Sequence, residues 1–273
     1  MRPPGLMVAA VILAGGGAAF GADDACQACH EDVVLKFKAN PHKKGCESCH
    51  GPGQQHMETA EAAKIFSFTK VSRQKANQTC LGCHGGQQTH RGRLLGAHDR
   101  NSLACLDCHS VHQPSAPHLL TAKTDSLCTT CHVSVKAEFN RPYRHKLQEK
   151  AISCVDCHNP HGGPPPRSLE RVSANEPGCL KCHGDKRGPF PFEHAPVKLE
   201  PCSTCHEPHG SANPRMLVRH EVNRVCLECH ASTFSRLGGA PPAFHDLRSA
   251  RYQNCTICHS KIHGSYVSRD FLR

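Results

Sequence analysis

Apolar residues are unevenly spread along this chain of 273 residues. The one continuous apolar run, Leu6 to Leu13, follows Arg2 and precedes Gly15 to Gly21, where every residue except Phe20 is small. A positive start, a short apolar stretch and Ala19-Phe20-Gly21 predict a secretory signal over residues 1–21, with cleavage near Ala22. The run is shorter than the roughly 20 residues that span a bilayer, which disfavours a membrane anchor. Asp23-Asp24-Ala25 before Cys26 is not an apolar lipoprotein box, so no lipid anchor is predicted. Beyond residue 21 the pattern is broken and polar, with a mean hydropathy of −0.49 for the chain and no later segment suited to crossing a membrane. With 20 Pro and 22 Gly, long regular elements are not expected. The pattern predicts short helices, a longer one at Glu58 to Phe66, and minimal strand. Loops are predicted at Gly162 to Pro166 and Gly238 to Pro242.

Composition changes this picture. Twenty cysteines beside 5% aromatics and no Trp leave too little apolar material for an ordinary core. Either the cysteines staple the fold or they hold something that replaces the core.

Every cysteine falls into a Cys-x-x-Cys-His motif. The first five are Cys26-Cys29-His30, Cys46-Cys49-His50, Cys80-Cys83-His84, Cys105-Cys108-His109 and Cys128-Cys131-His132. The second five are Cys154-Cys157-His158, Cys179-Cys182-His183, Cys202-Cys205-His206, Cys226-Cys229-His230 and Cys255-Cys258-His259. Cysteines at i and i+3 share one face of a helical turn, so both sulfurs can form thioethers to one haem. The following His then supplies the proximal iron ligand. Zinc knuckles do not require His after each pair, and His is only 23 of 273 residues, so ten coincidences are excluded on frequency. A thioredoxin-like pair is a single motif, and a disulfide framework does not repeat one spacing ten times. Ten covalently bound haem c groups are therefore expected.

Thirteen histidines lie outside the motifs. The even-numbered motifs are flanked upstream by His42, His98, His145, His194 and His245, and downstream by His56, His112, His161, His209 and His263. The odd-numbered motifs lack this pattern. The chain thus reads as five two-haem repeats: 26–56, 80–112, 128–161, 179–209 and 226–263. Ten flanking histidines for ten irons is the count that bis-histidine ligation needs. Only Met57 and Met216 lie beyond the signal, so Met cannot supply the sixth ligands, and low potentials are implied. A His three residues beyond a proximal His cannot reach the opposite face of the same haem. Each downstream His is therefore expected on the odd haem of its own repeat, and each upstream His on the even one. His90, His118 and His220 fall outside the pattern and are read as solvated or bonded to propionates.

A mature chain from Ala22 has about 25 residues per haem, so the haems must form the core. The predicted fold class is a multihaem cytochrome c: short helices and irregular loops around a haem core, with an extended row of ten haems. Successive motifs start 20 to 34 residues apart, which favours a row over a cluster around one pocket. The formal charge of +10 reads as compensation for haem propionates rather than as a nucleic-acid surface.

These motifs, with CVDCHNPHG at Cys154 to Gly162 and CSTCHEPHG at Cys202 to Gly210, resemble the MtrA/DmsE family of periplasmic decahaem cytochromes. The resemblance implies bis-His haems forming a wire, and two pentahaem halves similar to NrfB-type cytochromes, here 22–140 and 141–273. It implies redox partner proteins: for some members an outer-membrane β-barrel porin and an extracellular multihaem cytochrome, for others a terminal reductase of the DMSO-reductase type. An electron conduit with no catalytic residue is the leading expectation. The alternatives are a diffusing periplasmic shuttle, or a multihaem nitrite- or hydroxylamine-type enzyme. The enzyme needs an open iron position, and all ten motifs end in His with ten spare ligands available.

Overall fold

The structure is a computed structural model that describes residues 22–42, 44–90, 92, 96–163, 169, 171–173, 176–235 and 249–273. The signal at 1–21, His245, the loop at Gly238 to Pro242 and residues 164–166 of the loop at Gly162 to Pro166 lie outside the described residues. Two compact units are present, one formed by residues up to Ser72 with Val111–Gln113, the other by Arg73–Ser110 with Pro114–Arg273.

The first unit opens with α1 (Ala22–Gln27), which carries motif one and packs on α2 (Glu31–Lys38). Glu31 and Asp32 occupy the first turn of α2 and Lys36 and Lys38 the last, which suits its dipole. Its inward face buries Val34. Motif two lies in α3 (Glu47–His50), followed by α4 (Gln54–Thr59). The helix expected over Glu58 to Phe66 is not continuous. Ala60 ends α4 in the left-handed conformation at φ 56°, a short 3₁₀ turn covers Ala62–Lys64, and Ile65 is extended. The chain turns there because the Phe66 backbone returns to His50: Phe66 N–H donates to His50 O at 3.1 Å.

In the second unit α5 (Arg73–His84) ends in motif three and buries Ala76. Asn77 docks it onto motif four: its Nδ2 donates to Leu103 O at 3.0 Å and its Oδ1 accepts from Cys105 N–H at 2.8 Å. The remaining helices are α6 (Ala97–Arg100), α7 (Thr124–Thr129), α8 (Val133–Glu138), α9 (Ala195–Leu199) and α10 (Val222–Ser235). Motifs four, six, eight and ten sit on 3₁₀ turns that begin at Cys105, Cys154, Cys202 and Cys255. The only sheet among the described residues pairs β1 (Arg171–Ser173) with β2 (Glu176–Pro177). Short helices, irregular loops and almost no strand are thus the architecture.

The loops after motifs four and eight repeat one design. Ser110 N–H donates to Leu119 O at 2.7 Å and Thr121 N–H to Cys108 O at 2.9 Å. At the same offsets, Glu207 N–H donates to Met216 O at 2.7 Å and Val218 N–H to Cys205 O at 3.0 Å. Pairs of non-glycine residues take positive φ at the matching positions: His118 and Leu119, then Arg215 and Met216.

Contacts between repeats recur too. Tyr143 and Ser211 exchange both backbone hydrogen bonds, at 3.1 and 2.7 Å, as do Phe192 and Ser265 at 3.1 and 2.9 Å. Each bridge joins the residue two before an upstream His to the residue two after the next repeat's downstream His. The only buried hydrophobic residues among those described are Val34, Ala76, Phe139 and Leu147. Leu106, Val155 and Ile257, all x positions of motifs, are exposed. Among the described residues, polypeptide alone supplies no apolar core of ordinary size.

Candidate haem-binding site

Each motif is a single helical turn. The His N–H closes onto the carbonyl of the first cysteine, at 2.9 Å for His30 on Cys26 and 3.0 Å for His206 on Cys202. This turn places two sulfurs on one side and starts the imidazole from the next position. None of the twenty cysteines is in a disulfide, and all are at least partly exposed.

The imidazoles come together in pairs. Two imidazoles on opposite sides of one iron, each bonded at about 2.0 Å, stand about 6 Å apart between ring centres. In the first unit His30 faces His56 at 6.1 Å and His50 faces His112 at 5.9 Å. In the second, His109 faces His161 at 6.0 Å, His158 faces His209 at 6.0 Å and His206 faces His263 at 6.2 Å. The odd-numbered motifs follow suit. His132 faces His98 at 6.0 Å, His183 faces His145 at 6.2 Å and His230 faces His194 at 6.2 Å. The separation is too wide for ring-on-ring stacking and matches the width of one iron with its two nitrogens.

Hydrogen bonds fix which nitrogen points into that space. A carbonyl oxygen can only accept, so a ring Nδ1 bonded to one carries the proton and leaves Nε2 with its lone pair. His50 Nδ1 donates to Phe66 O at 2.9 Å, His109 Nδ1 to His118 O at 2.9 Å and His206 Nδ1 to Arg215 O at 2.9 Å. Among the distal partners, His56 Nδ1 donates to Glu61 O at 3.0 Å, His98 Nδ1 to Pro160 O at 2.9 Å and His145 Nδ1 to Pro208 O at 2.6 Å. His259 Nδ1 bonds Asp270 O at 2.5 Å. The left-handed backbone of His118 and Arg215 thus has a use, since it aims their carbonyls at the proximal rings. Burial and the neighbouring imidazole of His90 lower the pKa of His161 to about 4, and burial with Lys186 lowers that of His263 to about 4. Burial likewise lowers His112 and His194. These rings are neutral at pH 7, the form that binds metal.

The pairing corrects the expectation that ligands close within a repeat. His56 does face the odd motif of its own repeat. His112, His161, His209 and His263 instead face the even motif of the preceding repeat. His98, His145 and His194 face the odd motif of the following one. The reason is the bridging between repeats: the carbonyls that hold His98 and His145 belong to Pro160 and Pro208, which directly precede His161 and His209. His42 Nδ1 lies 2.9 Å from Asn40 Oδ1, and Asn40 Nδ2 in turn donates to Val111 O. His90, read from sequence as a bystander, lies 6.4 Å from His84 and stacks on His161 at 4.2 Å. His118 contributes its carbonyl.

Consecutive motifs are neighbours through their sulfurs. Cys128 and Cys154 share a hydrogen bond, as do Cys179 and Cys202, and Cys226 and Cys255. Before haem is attached, that bond lowers one thiol of each pair (Cys128, Cys202 and Cys255) and raises the other. Between repeats, burial and the charges of Cys128 and Cys131 raise Cys108; Cys179 and Cys182 act likewise on Cys157, and Cys229 on Cys205. Motifs four to ten therefore adjoin one another in sequence order. A vinyl-bearing macrocycle with two open axial positions fits what these residues offer: paired sulfurs, paired imidazoles one iron apart, and uncovered apolar side chains beside them. When bound, it supplies one-electron iron chemistry.

Comparison with known proteins agrees. The doubled CXXCH motif family matches residues 145–188 and 194–234, and the NrfB-like c-type cytochrome family matches 46–121. The chain is 38% identical over 265 residues to the multiheme cytochrome MtrA of Shewanella baltica, covering 89% of this chain and 78% of that protein. It is 26% identical over 199 residues to the C-type polyheme cytochrome OmcB of Geobacter sulfurreducens, covering 53% of this chain and 26% of that protein. No helix among the described residues is long and apolar enough to cross a membrane. Motif array, imidazole pairs and relatives agree, and the chain belongs to the MtrA family of multihaem c-type cytochromes, which hold haem covalently and transfer electrons.

Proposed function

We propose that this cytochrome carries ten haems, all six-coordinate, and serves as an electron conduit between periplasm and outer membrane. The observation that carries the reading is the set of eight imidazole pairs at 5.9 to 6.2 Å. An iron held on both sides has no position for a substrate, so these residues favour electron transfer over catalysis. The protein fixes imidazole tautomers by hydrogen bonds and places motifs four to ten next to one another in sequence order, so an electron on one of them has a neighbouring centre to move to. The eight pairs are the proposed axial ligands, and His42 and His245 complete the sixth-ligand set. His90, which faces His84, is the competing candidate for the iron of motif three.

With no helix among the described residues long and apolar enough to cross a membrane, conduction across a bilayer needs another wall, and a closed β-barrel supplies one. We therefore assign as partners an outer-membrane porin and a second, extracellular multihaem cytochrome, with the chain exported to the periplasm. Mass spectrometry of the mature protein should show ten haem additions, and its ferric EPR spectrum should be low-spin throughout. In His90→Ala all ten haems should stay low-spin, whereas one high-spin haem in ten would install His90 as the ligand. Gentle solubilisation of the outer membrane should recover a complex with a barrel. Recovery solely as a monomer would overturn the conduit in favour of a diffusing shuttle.

A further inference from the structure

The ligand imidazoles are not all held alike. His50, His56, His98, His109, His145 and His206 donate Nδ1–H to neutral backbone carbonyls. His209 differs. Its Nδ1 lies 2.8 Å from Glu138 Oε2, a side-chain carboxylate at the end of α8. The contact is built rather than incidental. Gly210, next to His209, packs so closely on Glu138 that a Cβ there would lie 2.3 Å from the Glu138 carbonyl oxygen. Phe139 is buried against His209 with ring centres 5.3 Å apart, and Tyr143 and Ser211 clamp the same two strands of chain.

We propose that Glu138 is a positioning residue that tunes the potential of the haem at motif six, making it harder to reduce than haems whose imidazoles bond to carbonyls. The inference rests on the reading that His158 and His209 are the axial ligands of that haem. A carboxylate accepting Nδ1–H pulls the proton from the ring and pushes electron density through Nε2 onto the metal. Its negative charge also stabilises the more positive ferric state. Reduction adds one electron, which both effects oppose. The site is partly exposed, so solvent screens part of the effect.

The test is a spectropotentiometric titration of the fully haem-loaded protein, wild type against Glu138→Gln. Gln keeps a side-chain acceptor of the same length and removes the charge. One haem in ten should move to higher potential, its reduced-to-oxidised ratio at a fixed potential rising about tenfold, or about 59 mV for one electron. Glu149→Gln removes another carboxylate of the same unit, one paired with Arg144 and Lys146, and should shift no haem. If Glu138→Gln matures poorly, Glu138→Ala is titrated instead and should shift the same haem in the same direction. An unchanged distribution of potentials, with ten low-spin haems retained, would overturn the tuning while leaving the ligation intact. His209→Ala separates the two readings: it should make one haem high-spin. Ten low-spin haems in that variant would overturn the ligation, and the tuning with it.

Discussion

Gly210→Ala tests how tightly the ligand geometry is fixed by the backbone. Gly210 follows His209 directly and sits at φ +155°, a region that side-chain-bearing residues avoid. A Cβ at this position would lie 2.3 Å from the Glu138 carbonyl oxygen and 3.1 Å from Arg144 Cβ. The first obstacle is backbone and cannot rotate away. Adopting the Gly-only conformation costs about 1–3 kcal/mol, and forcing a methyl into packed surroundings costs about 1–3 more. The chain can escape only by moving α8 and His209 apart, which carries the imidazole away from His158. A total of about 2–6 kcal/mol corresponds to a shift of about 30- to 25,000-fold in the equilibrium for keeping His209 in place. The assay is EPR spin quantitation on the mature protein, supported by optical detection of cyanide binding. One haem in ten should become high-spin and bind the added ligand, while the other nine remain as in wild type. Gly264→Ala is the companion. Its Cβ would meet the Phe190 ring at 2.1 Å, an obstacle that can swing aside, so the loss should be smaller. Ten fully low-spin haems in Gly210→Ala, with no cyanide binding, would refute the claim that backbone packing positions the distal ligand.

Three further outcomes follow from the same packing. Ser211 is buried, and its Oγ donates to Leu217 O at 2.7 Å while accepting from Asn213 N–H at 3.0 Å. Ser211→Ala should therefore cost about 1–3 kcal/mol in chemical denaturation followed at the Soret band, and an unchanged midpoint would contradict it. Arg215 holds a left-handed φ of 60° and its side chain makes a long contact to Thr256, so Arg215→Gly should raise stability by up to about 1 kcal/mol while keeping the carbonyl that holds His206, and a lowered midpoint would contradict it. Burial, with neighbouring charges, lowers the pKa of His161 and His263 from 6.5 to about 4, and iron on the ring nitrogen would lower their proton affinity further, so the unfolded chain binds more protons than the folded one below pH 6.5. Their stabilisation is complete above pH 6.5 and fades as the pH falls through about 4; a flat urea midpoint from pH 7 to 4 would contradict this.

Much of the site was legible because its chemistry is local. A Cys-x-x-Cys-His turn is closed by a hydrogen bond from His N–H to the first cysteine's carbonyl, so the motif carries its own geometry. Eight of the ten histidines that flank even-numbered motifs stand in imidazole pairs, and their recurrence is what made them legible in the sequence. Which imidazole opposes which was not legible. That depends on contacts such as His98 to Pro160, His145 to Pro208 and His209 to Glu138, 62, 63 and 71 residues apart in sequence. No propensity or spacing reports on them. The helix expected at Glu58 to Phe66 failed for a related reason. Its residues suit a helix, but Phe66 must return to His50, and Ala60 turns left-handed to let it. His90 gave no signal because it has no counterpart in the other repeats.

The crossing of ligands between repeats bears on how such a protein can be assembled. Had each repeat supplied both ligands to its own irons, every pair of haems could form a finished unit, and stability would be a sum over independent blocks. Here His158 faces His209, and His183 faces His145, so on the proposed ligation each of the three middle repeats holds an axial ligand for its neighbour on either side. The carbonyl that orients His145 belongs to Pro208, and the backbone bridge between Tyr143 and Ser211 lies at the same joint. The imidazole pair, its tautomer and the chain pairing thus share one joint. This is a nearest-neighbour system with strong interfaces and weak individual blocks, the condition under which a repeat array folds cooperatively. It also explains how so little buried apolar side chain suffices. On the proposed ligation, iron–imidazole bonds at the joints would supply what Val34, Ala76, Phe139 and Leu147 cannot, and the same coupling holds motifs four to ten in the sequence order an electron would follow.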